Sequence, residues 1–259
     1  ASTAYTRYSG HQYLVGADYQ FESGFRIGGF GGAGRLDANI GKRSSQADAK
    51  TTSLGLYAGQ RWSSGLGVWA GYVHSEYDTD VTRNIRFADF SDGTRADFDA
   101  TTQQAFIEGG YLFGSDKFQV EPYLQYAHVR VKNDAYSERG GLAALGIASS
   151  TGKLDVATGG LRASLNLKGS QQEATWFSLR GGLAYRHISG DHVPFANAQL
   201  TGSQSFLVQG APLAKKATVA ELGIAARTSP RTLLEVGYNG QFADEGNDHG
   251  ASARFTIKF

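Results

Sequence analysis

The chain has no cysteine and no methionine in its 259 residues. Without cysteine there is no disulfide framework, no thiolate nucleophile and no metal site built on sulfur. The lack also suits a chain that passes unfolded through an oxidising compartment. Without an initiator methionine, the chain is expected to be a processed or excised piece. No run approaches the ~18 apolar residues of a membrane-spanning helix, and residue 1 does not open a signal peptide. A chain of this kind crosses a membrane only as a closed barrel, because nothing else leaves no unpaired backbone groups in lipid. The charge balance, 25 Lys and Arg against 24 Asp and Glu, gives no electrostatic case for nucleic acid. There is no Walker A, G-x-S-x-G or H-E-x-x-H pattern and no zinc spacing, so neither an enzyme class nor a cofactor is indicated. Proline is scarce too, with four residues.

Glycine and aromatics are abundant. Glycine takes 35 positions, nearly twice the usual ~7%. Tyrosine and phenylalanine take 13 and 15. With so little proline, this composition suits many closely packed strands. The last nine residues show the pattern most clearly. Ala251, Ala253, Phe255, Ile257 and Phe259 share one face, and Ser252, Arg254, Thr256 and Lys258 share the other. The same period of two runs through Tyr13–Phe21, Phe25–Gly31, Leu54–Trp62, Leu66–Tyr72, Ala105–Phe113, Phe118–Tyr126, Leu161–Leu167, Phe177–Tyr185, Thr218–Ala226 and Leu234–Phe242. That gives eleven strands from Tyr13 onward. The stretches between them are expected as short turns at 22–24, 63–65, 115–117, 169–174 and 228–231. Long loops are expected at 38–50, about 85–95, 137–151, 190–214 and 244–249. The long polar stretch 77–99 is expected to turn at Ser91-Asp92-Gly93, and residues 1–12 to belong to an outer loop.

Short connections at one end and long ones at the other mark an outer-membrane barrel, whose strand number is even in single-chain bacterial examples. The expected fold is therefore all-β: one antiparallel transmembrane barrel of twelve strands over 1–259, with the first strand upstream or within residues 1–12. The final strand then ends on the periplasmic side. Twelve strands close at a backbone radius of roughly 12 Å, too wide for Ala, Leu and Val to fill. The apolar face is thus assigned to lipid. The lumen is assigned to the face carrying Arg26, Arg61, Glu108, Glu121, Arg162, Arg180, Arg186, Glu221, Glu235, Arg254 and Lys258. Such a bore leaves room for about one α-helix. Tyr13, Tyr19, Tyr72, Tyr111, Tyr126, Tyr185 and Tyr238 lie on the apolar face, where their rings suit the membrane boundary.

An ordered set of short motifs adds to this reading: Gly16-Ala-Asp-Tyr-Gln-Phe21, Leu56-Tyr-Ala-Gly59, Glu108-Gly-Gly-Tyr111, Glu121-Pro-Tyr-Leu124, Glu138-Arg-Gly-Gly-Leu-Ala-Ala-Leu145, Gly160-Leu-Arg162 and the closing Phe259. Over 13–259 the chain resembles the translocator (β) domain of autotransporters, the type V secretion proteins. The resemblance implies a monomeric outer-membrane barrel that supports export of an N-terminal passenger not in this chain. It implies a linker helix in the lumen, and partners in the outer-membrane assembly machinery, periplasmic chaperones and the lipid bilayer. It implies no catalysis and no cofactor, and it makes Phe259, with Phe255 and Ile257, an assembly signal. Two alternatives stay open. One is a passive porin. The other is a barrel-borne hydrolase with catalytic residues in the outer loops, such as Asp191 and His192, which with His187 also form a candidate metal or acid–base cluster at the start of a loop. Asp78, Asp80, Asp89 and Asp92 form an acidic group without the spacing of a calcium loop.

Overall fold

A computed structural model describes residues 6–40, 45–169, 173, 175–244 and 246–259. None of the described residues is helical. The first strands are β1 (Thr6–Gln20), β2 (Phe25–Ile40), β3 (Ser45–Arg61), β4 (Leu66–Phe87), β5 (Phe90–Tyr111), β6 (Phe113–Gly114), β7 (Phe118–Asn133) and β8 (Tyr136–Ser137). Those that follow are β9 (Leu145–Ile147), β10 (Ser150–Lys168), β11 (Trp176–Gly190), β12 (Phe195–Leu200), β13 (Phe206–Gln209), β14 (Lys216–Ser229), β15 (Thr232–Ala243) and β16 (Gly246–Ile257). One sheet runs β1-β2-β3-β4-β5-β7-β10-β11-β14-β15-β16, with β6 added beside β7. Each strand meets its neighbour antiparallel and in chain order, the simplest up-and-down path.

Burial in this sheet is inverted relative to a water-soluble fold. Val15, Leu124, Leu183, Leu222 and Phe255 are 81, 73, 62, 67 and 60% exposed, all on the outward face. The cluster of buried apolar residues is small: Tyr123, Ala184 and Val219, one row across β7, β11 and β14 on the opposite face. An apolar surface this extensive needs an apolar medium, and a lipid band around a barrel supplies one. Glycine lets the inner face close up. Rings of Phe30, Trp69 and Phe106 lie over Gly55, Gly59 and Gly71 on neighbouring strands, where a Cβ would collide with them.

Several expected loops are strand. Stretch 77–99 is a hairpin, with β4 and β5 paired out to Phe87↔Phe90. The turn falls on Ala88, in the left-handed region at φ 50°, and Asp89, not on Ser91-Asp92-Gly93. Residues 6–12, expected as loop, belong to β1, while residues 1–5 lie outside the described set. Residues 38–40 and 45–50 extend β2 and β3, and 41–44 are outside it. Of the expected loop 244–249, residues 246–249 belong to β16 and 245 lies outside the described set, and the turn 169–174 is described only in part. The misreadings share a cause. The outward face of these strand ends is polar, so the apolar alternation of the strand centres does not continue into them, and apolar residues that remain, such as Val81, Ile85 and Phe98, lie on the opposite face.

The expected loops 137–151 and 190–214 carry a second sheet, ordered β13-β12-β9-β8. A bridge between Arg95 and Arg139 ties it to β5. The long-connection end of the barrel is thus structured.

Candidate functional site

The concave face is the candidate site, because side chains meet there across intervening strands. Arg162 on β10 reaches over β7 to Glu108 on β5, with Nη1 and Nη2 donating to Oε1 and Oε2 at 2.6 and 3.0 Å. Its guanidinium also lies 3.6 Å above the Tyr123 ring, and Gln125 donates to Glu108 at 3.0 Å. Such a planar fork suits a two-oxygen partner and an aromatic floor together.

Arg61 on β3 meets Glu121 on β7 at 2.6 Å, spanning β4 and β5. Gly67 and Gly110 make this possible, since a Cβ on either would sit 3.1 Å from the Arg61 guanidinium carbon or 2.6 Å from Glu121 Oε1. The two glycines open a trough in which the long side chains meet. Arg180 donates to Glu235 across β14, and Arg254 stands 3.8 Å from the same carboxylate. Arg186 donates to Gln241 at 2.5 Å. Arg26 donates to Gln20 at 2.9 Å and stands 3.6 Å from Asp18, which also accepts the Tyr57 hydroxyl at 2.9 Å.

These pairings join most of the residues singled out from the sequence. Glu121 goes to Arg61 and not to Arg162, its register partner on β10. Among the described residues Glu221 has no ion-pair partner within 4 Å, and it stands in the field of Arg162 and Tyr123. The inner aromatics Tyr57 and Tyr123 and the amides Gln125 and Gln241 are partners that charge alone did not suggest. Their signal was the same alternation, since each shares parity with the charged residues.

At the long-connection end, Glu138 is the anchor of the second sheet. Arg83 donates to both its carboxylate oxygens and to the Ala143 carbonyl at 2.7 Å, and the Leu145 amide donates at 3.0 Å. Burial pushes the Glu138 carboxyl up, but Arg83 and the Leu145 amide outweigh it and hold it below the usual carboxylate range. Asp92 accepts the Ala143 amide at 2.8 Å. Gly140 and Gly141 have φ of 93° and 41°, and a Cβ on Gly141 would strike Asp92. The Glu138–Leu145 motif is therefore a docked loop whose glycine pair has a steric cause. Tyr136 stacks on Phe98 with centroids 4.3 Å apart.

The other candidates do not assemble. His192 Nδ1 faces the Gly190 carbonyl at 3.0 Å, Asp191 accepts the Lys153 amide at 2.9 Å, and His187 lies on the outer wall of β11. Asp78 and Asp80 are on β4, not in a loop. Among the described residues no three His, Asp or Glu converge as a metal site.

The family model described as "Autotransporter beta-domain" matches residues 1–239. The chain belongs to the autotransporter β-domain family. This β-domain is 28% identical over 247 residues to an extracellular serine protease of Serratia marcescens, covering 95% of the chain and 23% of that protein. It therefore spans about a quarter of the curated relatives it matches. Its fold is similar to that of the translocator domain of autotransporter NalP from Neisseria meningitidis, with TM-score 0.78 and 14% identity. That match covers 98% of this chain and 82% of the other. The β domain of the Bordetella autotransporter BrkA gives 0.68 and 15%, covering 98% and 91%. The autotransporter β-domain here is accordingly an outer-membrane β-barrel of the type V secretion class.

Proposed function

We propose that the concave face is a hydrated lumen and that this domain supports export of an N-terminal passenger through or alongside it. The carrying observation is the lattice of ion pairs reaching across strands on that face: Arg61–Glu121, Arg162–Glu108 and Arg180–Glu235. Charges paired with one another line the wall without creating one strong field. A polypeptide in transit meets hydrogen-bonding groups along the way and a deep binding well nowhere. The domain is a conduit and not a catalyst, and it acts as a monomer. The passenger is supplied by chain outside these 259 residues, and a linker helix from it occupies the bore.

Closure follows from strand direction. Among the described residues β1 and β16 each have one neighbour, and β1 is exposed on both faces. With eleven long strands alternating in direction, β1 and β16 run the same way. One further strand, antiparallel to both, completes a twelve-stranded antiparallel barrel and removes two rows of unpaired groups from lipid. The long-connection end is assigned to the cell surface and Phe259 to the periplasm. There Phe255, Ile257 and Phe259 present the face read by the assembly machinery after periplasmic chaperones deliver the chain.

Single-channel conductance with and without the linker tests the conduit. Low conductance with the linker and a rise on its removal is the expected result. A large open conductance with the linker in place would contradict it and favour a porin.

A further inference from the structure

The outer wall is polarised by charge just beyond its apolar band, and one patch stands out. Up β7 and β10 the outward rows run Leu124 and Gly159, then Tyr126 and Ala157, then His128 and Asp155, then Arg130 and Lys153. Leu124 is apolar and highly exposed. The Tyr126 hydroxyl donates upward to Asp155 at 2.6 Å, and His128 Nδ1 lies 2.8 Å from the same carboxylate. Both partners of Asp155 are thus in place. The next row puts two cations directly opposite each other, Arg130↔Lys153, both exposed. Cross-strand like charges are unfavourable. Neither side chain has an ion pair or hydrogen bond among the described residues. The nearby acids are engaged: Asp134 holds Lys132 at 2.7 Å, and Asp191 accepts the Lys153 backbone amide.

On the far flank the polarity reverses. Asp37, Asp48, Asp80 and Asp97 form one continuous outward row across β2 to β5. The row below it carries a second cation pair, Arg35↔Lys50, but there Arg35 is ion-paired with Asp37 and Asp48 and Lys50 lies opposite Asp78, so acids answer the cations on that flank.

We propose that Arg130 and Lys153 dock the phosphates of the outer-leaflet glycolipid. This rests on the assignment of the long-connection end to the cell surface. The height fits. Arg130 is four residues above Tyr126, roughly 13 Å along the strand and about 10 Å along the membrane normal at a ~40° tilt. That is headgroup level for a tyrosine at the edge of the hydrocarbon. A phosphate there relieves the Arg130–Lys153 repulsion while its acyl chains cover Leu124 and the apolar band below. Arginine supplies a two-point contact to the oxyanion and lysine a point charge.

The test uses the protein purified from outer membranes, with native mass spectrometry reading its occupancy by lipid A carrying both phosphates or by the same lipid stripped of them. Wild type is expected to prefer the phosphorylated lipid, and Arg130→Gln with Lys153→Gln to bind it on the order of tenfold more weakly. Arg35→Gln with Lys50→Gln, on the acidic flank, should leave occupancy unchanged. Arg130→Lys should retain most of it. Unaltered gel mobility before and after heating shows that each variant is folded. Equal binding of both lipids, or equal loss in the flank control, would overturn the proposal. A Thr151→Cys variant separates this from failure of the orientation. Labelling by an impermeant maleimide on intact cells places the patch outside. Labelling only after the envelope is opened, with phosphate preference intact, would reject the outer leaflet as the source.

Discussion

At the scale of the residue, the inner wall is held by charge pairs with little packing around them. Glu108 accepts both Arg162 bonds and one from Gln125. Glu108→Gln keeps its shape and removes its charge, so it is expected to destabilise the barrel by about 1–3 kcal/mol. Urea unfolding in lipid vesicles checks this, and a midpoint equal to wild type would show the pair to be incidental. Glu138 gives a pH prediction. Its carboxyl is held down by Arg83, so its contribution to loop docking is fully present above the usual carboxylate range. The contribution is lost as pH falls through the lowered pKa of the folded state. Hydrogen exchange at the Leu145 and Arg139 amides should stay slow through mildly acidic pH and quicken only below that range. Glu138→Gln should make the same amides fast at neutral pH, with the barrel amides unaffected.

At the scale of the element, each strand is an alternation that reads differently in and beyond the membrane. Leu183 and Leu222 are exposed neighbours of Gly182 and Gly223, which face the other way. Leu183→Arg puts a charge in the hydrocarbon and is expected to cost ~2–4 kcal/mol, lowering the outer-membrane level of the protein. Gly182→Ser points into the concave side, where a Cβ would approach no heavy atom closer than 3.5 Å, and should leave that level unchanged. Equal sensitivity of the two sites in membrane-fraction blots would reverse the assignment of faces. The strand centres were legible from sequence because one apolar face forces a period of two. The extensions were not. Beyond Tyr77 and Ala100 the outward side of β4 and β5 turns polar and the apolar residues, Val81, Ile85, Ala96 and Phe98, fall on the inner side, so the pattern of the strand centres does not continue. The second sheet was hidden for a related reason, since its strands β8, β9 and β13 are two to four residues long.

At the scale of the whole molecule, the period of two sorted the charged residues onto one face but left their partners open. Arg61 and Glu121 are sixty positions apart and meet only because the sheet curls and two glycines clear the way. Gly110→Val should displace Glu121, free Arg61 and raise lumen conductance and anion preference in planar bilayers. An unchanged ion preference would mean that the pair does not line the pore. Closure is equally a property of the whole. A two-cysteine variant joining β16 to the proposed closing strand should form a disulfide in the folded protein, and a crosslink from β16 directly to β1 in its place would contradict that strand.

The proposed function depends on which face meets lipid. Because the chain has no cysteine of its own, single spin labels can be placed at Leu183 and Leu222 and at Arg180 and Gly182 without interference. Relaxation by oxygen, which concentrates in lipid, should be strong at Leu183 and Leu222 and weak at the other pair. Relaxation by a water-soluble nickel chelate should show the opposite order. Leu183 and Leu222 reached by nickel and shielded from oxygen, with Arg180 and Gly182 the reverse, would contradict the account.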